Sequence, residues 1–97
     1  MIEMKIYSFR GKKNLCGRQV RMYRKAMHIT QTEFAAKLQL CDVILDQKAI
    51  SRIELCDRVV ADYELWAIAQ VLNVGIEDLI LPALDTKRKL KKTWSSL

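Results

Sequence analysis

Apolar residues recur along this chain at helical spacing, in five separate blocks. Cys16, Val20, Tyr23 and Met27 fall at i, i+4, i+7 and i+11, one face of a helix running from about Leu15 to Met27. Arg18, Arg21 and Lys25 lie mostly off that face. Thr30-Gln31-Thr32-Glu33 is a capping box that opens a second helix, with Phe34, Ala35 and Leu38 as its inward stripe. Asp46 is suited to cap a third helix from Gln47 to about Glu54, in which Ile50 and Ile53 point inward. Gln47, Lys48, Ser51 and Arg52 are then left on the outer face. A fourth helix spans Asp62 to Leu72, buries Leu65, Ile68, Ala69 and Leu72, and ends at Asn73, a residue that tolerates the left-handed conformation. After the Val74-Gly75 turn, a short fifth helix starts at Ile76 and is expected to stop at Pro82.

The pattern predicts an all-α fold around a single core of Val20, Phe34, Ala35, Leu38, Ile50, Ile53, Leu65, Ile68, Ala69, Leu72 and Leu79. Trp66 is expected to be packed and Trp94 to be a tail contact. Ninety-seven residues suit one domain, and one Pro with three Gly suits helices better than a turn-rich β-fold. Residues 14–84 read as that domain, residues 1–13 as an N-terminal extension and residues 85–97 as a basic tail. Ile2, Met4 and Ile6 alternate with polar residues in a weak strand-like period.

Charge divides the chain in three. Residues 1–25 hold eight Lys/Arg and one acid, residues 26–86 hold four bases and ten acids, and residues 87–97 hold five bases and no acid. Basic ends around an acidic middle are what phosphate-seeking arms look like, although a solvated charge face explains the same counts.

Other chemistry is sparse. Cys16, Cys41 and Cys56 are odd in number and form no CxxC, which predicts reduced thiols and no disulfide framework. The single histidine, His28, has no neighbouring ligand spacing, so neither a metal site nor a cofactor is expected. It also lacks a nucleophile–acid arrangement, and no Gly-rich phosphate loop occurs, which argues against an enzyme. Asp57, Asp62, Glu64 and Glu54 are expected to cap and pair helices. No run of 18 apolar residues is present, and the first 13 residues lack a secretory pattern, so a cytoplasmic protein with no membrane partner is expected.

The ordered segments VRMYRKAMHITQTEFAAKL, AISRIE and DYELWAIAQVLNVGIEDLI resemble the lambda repressor-like, Cro-type helix-turn-helix family over about residues 15–81. The resemblance implies a five-helix domain whose third helix enters the DNA major groove. It assigns Gln31 to a backbone-contact position, and a helix N-terminus offers N–H groups and positive dipole to a phosphate. It assigns Gln47, Lys48, Ser51 and Arg52 to base-facing positions, where Gln can pair with adenine and Arg or Lys with guanine. Arg24 and Glu54 match a structural pair joining the first helix to the end of the third.

Two departures stand out. The turn between the second and third helices, residues 39–45, is about five residues longer than the few-residue turn of the motif. Some of Leu40, Val43, Ile44 and Leu45 are expected to tuck against the domain or a partner, because four exposed aliphatics make a costly patch. The family also tends to follow the third helix with Asn, Gly and two basic residues that grip a phosphate. Here stand Leu55, Cys56, Asp57 and Arg58, so only Arg58 keeps that role and Asp57 opposes it. Arg10, Lys12, Lys13 and the basic residues from Lys87 to Lys92 could compensate. The function implied is a transcriptional regulator, a repressor or an activator, that binds double-stranded DNA as a homodimer paired through Ile76 to Leu84. An antitoxin-like module, in which the long turn or MIEMKIY binds a protein partner, is the alternative.

Overall fold

The computed structural model of the protein describes residues 8–84. Within them the chain forms α1 (Gly17–Ala26), α2 (Gln31–Gln39), α3 (Gln47–Glu54), α4 (Asp62–Leu72) and α5 (Ile76–Leu84). Among the described residues there is no strand, only an isolated bridge between Phe9 and Lys12. The alternation at Ile2, Met4 and Ile6, and the tail with Trp94, lie outside the described residues.

Local sequence explains each helix start. The Thr30 hydroxyl accepts from the Glu33 N–H at 3.0 Å while the Glu33 carboxylate accepts from the Thr30 N–H at 2.7 Å, the full capping box. Asp46 accepts from the Ala49 N–H at 2.8 Å and opens α3. Glu64 accepts from the Ala61 N–H at 3.0 Å at the head of α4.

The first four helices also end alike. His28, Asp42, Cys56 and Asn73 all take positive φ, between 57° and 62°. In each case the next residue donates its N–H five residues back, as in Ile29 to Arg24, Val43 to Leu38, Asp57 to Arg52 and Val74 to Ala69. This satisfies carbonyls that the last turn would leave unbonded. Asn, Asp and His pay a modest penalty in the left-handed region; Cys56 has no side chain suited to it.

The core holds Cys16, Val20, Phe34, Leu38, Val43, Leu45, Ile50, Ile53, Ala67, Ile68, Ala69, Leu72 and Leu79. Nine of the eleven expected core residues are in it, and Ala35 and Leu65 pack against its edge. α1 packs on α3, α4 and α5; α2 packs on α3 and α4; α4 and α5 are bent by 107° across their connection. The long turn divides as its composition requires: Val43 and Leu45 are buried, while Leu40 and Ile44 are 87% and 74% exposed. Burial pushes the Cys16 thiol up to about 12, so it stays protonated and inert as a core side chain.

Two expectations are corrected. Pro82 does not stop the last helix, which runs on to Leu84. Proline's φ is itself helical, and the N–H it lacks is the one that would have bonded to the Asp78 carbonyl, so the helix continues with that bond missing. Trp66 is not packed away but 48% exposed. It lies about 100° round α4 from Leu65, on the outer face with the exposed Tyr63 three residues before it.

Candidate nucleic-acid interface

The outer face of α3 follows from its inner one. Ile50, Ile53 and Glu54 are buried, so the helical period turns Gln47, Lys48 and Arg52 to solvent, with Ser51 half-buried at the margin. The helix is only eight residues long. Its orientation therefore depends on its attachments, which form two polar clusters.

The inner cluster centres on Glu54, the last residue of α3. Arg24 of α1 donates to it from Nε at 2.6 Å and from Nη2 at 3.1 Å, a bidentate pair with both side chains buried. Arg24 Nη1 also donates to the Ile29 carbonyl at 2.8 Å, which binds the entry to α2. The Glu54 hydrogen bond holds the Arg24 guanidinium above its ordinary range, against the opposing effect of burial. Gln31, the first residue of α2, donates to the same Glu54 carboxylate at 3.0 Å and accepts from Gln47 Nε2. One chain of bonds thus runs from α1 through the end of α3 and the start of α2 to the first residue of α3. A polar cavity of about 230 Å³ lies over it, lined by Arg21, Arg24, Gln31, Ser51, Glu54 and Leu55.

The loop cluster follows α3. Arg52 turns back on Asp57, with Nη2 donating to the Asp57 carbonyl at 3.0 Å and Nε 3.8 Å from its carboxylate. Lys13 stands 4.0 Å from the same carboxylate. Arg58 donates to Glu64 at 2.9 and 3.3 Å and to the Val59 carbonyl at 3.0 Å. Burial pushes the Glu64 carboxyl up, but the bonds from Arg58 and the Ala61 N–H, with the Arg58 charge, outweigh it and hold the group below the ordinary range.

Backbone geometry fixes this loop. Asn14 donates to the Ile53 and Arg58 carbonyls at 3.1 and 2.8 Å, and accepts from the Gly17 N–H at 2.8 Å. The Lys13 N–H donates to the Cys56 carbonyl at 2.9 Å. Gly17 is required by close approach, since a Cβ there would meet the Ile53 carbonyl oxygen at 2.2 Å.

The structure thus brings Gln31, Gln47 and Ser51 together at one edge, leaves Lys48 exposed beside them, and ties Arg52 and Arg58 into intramolecular contacts. The Arg24–Glu54 pair stands as the resemblance implied. Asn14 and Gly17 were missed. Asn14 could have been found as a side-chain cap three residues before a helical N–H, whereas Gly17 carried no local signal. Among the described residues no single helix is long and apolar enough to cross a membrane, and no group of three His, Cys, Asp or Glu is placed to hold a metal.

The comparisons with known proteins agree with this geometry. Residues 20–79, more than half of the chain, match the family model described as Helix-turn-helix. No curated protein and no solved structure matches the chain. The matched span runs from the inward face of α1 to the core residue of α5 and includes the inner cluster and the Arg52, Asp57, Arg58 and Glu64 part of the loop cluster. With its five helices and its α2–α3 arrangement, the chain belongs to the lambda repressor-like, Cro-type helix-turn-helix family of DNA-binding regulators.

Proposed function

We propose that the protein is a sequence-specific transcriptional repressor that reads a palindromic operator as a homodimer, with α3 in the major groove. The observation that carries this reading is the solvent-facing set Gln47, Lys48 and Arg52, with Ser51 half-buried at its margin, on a helix whose other face is locked by Glu54. Those side chains have the donors and acceptors that distinguish base pairs in the major groove. Gln31 contributes to a phosphate contact at the start of α2. Arg58 reaches a phosphate with the N–H groups that Glu64 and Val59 leave it. Release of Arg52 from Asp57 accompanies binding in this reading, since the same guanidinium cannot serve both.

Pairing through α5 fits the exposure of that helix. Leu79 is buried, but Ile76 and Leu81 are 41% and 36% exposed and Ile80 and Leu84 are half-buried. Two copies joined there would present two α3 helices to successive major grooves. The experiment is selection of bound fragments from random duplex DNA with sedimentation of the complex. A palindromic consensus bound by two chains is the expected result; sedimentation as a monomer, both free at high concentration and on the site, overturns the dimer.

Leu40 and Ile44, both exposed in the long turn, favour a second reading in which that turn binds a protein partner, as an antitoxin-like regulator would. Leu40→Ser with Ile44→Ser would then abolish the partner complex and leave DNA binding intact.

A further inference from the structure

One strongly basic surface takes no part in either cluster. An open groove of about 520 Å³ runs along the outside of α1, lined by Lys12, Arg18, Arg21, Met22, Lys25 and Leu55 with neighbouring backbone. Arg18, Arg21 and Lys25 follow the i, i+3, i+7 spacing of one helical stripe and are exposed. Among the described residues, none of these four cations is in an ion pair. The one carboxylate that lines the groove, Glu54, is already bonded to Arg24 and Gln31. The groove is also continuous with the α3 edge: Arg21, Glu54 and Leu55 line both it and the smaller cavity that contains Gln31 and Ser51.

The loop after α3 is the reverse. The cations around it, Arg52 of α3, Arg58 of the loop and Lys13 before α1, are all within reach of carboxylates of this chain. A phosphate approaching that loop meets charge already balanced, and Asp57 besides. A phosphate approaching α1 meets unbalanced positive charge.

We propose that the α1 groove is the protein's principal phosphate-holding surface, taking the DNA strand that borders the major groove occupied by α3. Arg18, Arg21 and Lys25 hold the phosphodiesters, and Lys12 closes the end of the groove. The stripe spans about 10 Å of helix, which matches roughly three phosphates of rise on one strand. The ligand is the DNA backbone, so the contacts carry affinity and register but no base preference. The inference rests on the reading of α3 as the base-contacting helix.

The test uses the full chain with Arg18→Ala, Arg21→Ala and Lys25→Ala combined, on a selected operator and on random duplex, across a series of salt concentrations. Affinity should fall on both DNAs alike, by roughly tenfold or more, and the slope of log K against log salt should flatten by about two to three. A set of operators carrying single neutral methylphosphonates locates the contact: two or three positions on one strand should weaken the wild type and leave the variant unaffected. The substituted side chains are exposed on a helix, so the melting temperature should not move. Arg21→Ala alone, with a slope change of about one, serves if the triple variant unfolds. An unchanged slope, or a flattened slope with no methylphosphonate position coupled, overturns the proposal. So does inorganic pyrophosphate held in the groove without competing with DNA, which would make it a small-anion site. Failure of the α3 reading registers elsewhere, as a Lys48→Ala variant with unaltered base preference, whatever the triple variant does.

Discussion

Two ion pairs made by the flanks of α3 use the same chemistry, arginine against carboxylate, in opposite surroundings. Arg24 and Glu54 have side chains 9% and 3% exposed, whereas Arg52 and Asp57 are 55% and 62% exposed. A buried pair cannot lose one partner without stranding the other's charge, and an exposed pair hands its charge back to water. The inner cluster is therefore a structural pin. In the loop cluster the pairs of Asp57 with Arg52 and Lys13 are exchangeable contacts, while the largely buried Arg58–Glu64 pair, the Asn14 side chain and the close approach at Gly17 hold the loop in place. The contrast suits a helix that must be held firmly on one side and must trade partners on the other.

The sharpest way to break the comparison is Glu54→Gln. It leaves Arg24 buried beside a neutral amide and should cost about 3–5 kcal/mol by denaturant unfolding. A loss under 1 kcal/mol would put the pair in the same class as Arg52–Asp57. Gly17→Ala comes next. Its Cβ would meet backbone at 2.2 Å, which no side-chain rotation relieves, so a loss of about 1–3 kcal/mol or more is expected. An unchanged stability would mean that the loop is not held by this contact.

Acid sharpens the comparison within the loop cluster itself. The Glu64 carboxyl is held below its ordinary range in the folded protein. It therefore contributes stability that is present above the ordinary Glu value and is lost as pH falls through the lower folded value. Between about pH 5 and pH 3, Glu64→Gln should show a shallower fall in melting temperature than the wild type; parallel curves would remove Glu64 from the account. The smallest stability effect belongs to Asp57→Asn. Both its ion pairs are exposed, so stability should change by less than about 1 kcal/mol. DNA affinity should nevertheless rise, because Arg52 and Lys13 lose a carboxylate that balances their charge and a charge that repels phosphate is gone. Weaker binding by this variant would show that Asp57 orders the loop for DNA.

What could be read in advance follows the range of the forces involved. The helix starts at Thr30, Asp46 and Asp62 were legible because caps and apolar period are local, and Asn73 announced its own left-handed end. The Arg24–Glu54 pair became legible only through the family resemblance, since thirty residues separate the partners. Gly17 was invisible because its reason is the carbonyl of Ile53, and nothing near it in the chain hints at that neighbour. Pro82 misled because a proline, whose φ is helical, removes a hydrogen bond from a helix without always ending it. Trp66 misled because size suggested burial, while its place on α4, between inward-facing Leu65 and Ala67, turns it outward. Of the candidate site residues, Gln31, Gln47 and Ser51 lie at one edge of the molecule. The ties of Arg52 and Arg58 to Asp57 and Glu64 were not foreseen, since side-chain pairing across a loop depends on how the loop closes.

The central claim is that α3 reads bases while its inner face is fixed by Glu54. It is tested most directly by Lys48→Ala, which removes an exposed side chain with no structural partner among the described residues. Binding would be measured on the selected operator and on operators changed at each base pair in turn. The account predicts a loss of roughly 1–3 kcal/mol on the selected operator, with preference relaxed at one base pair per half-site and unchanged elsewhere. Wild-type affinity together with a wild-type preference at every position would contradict it.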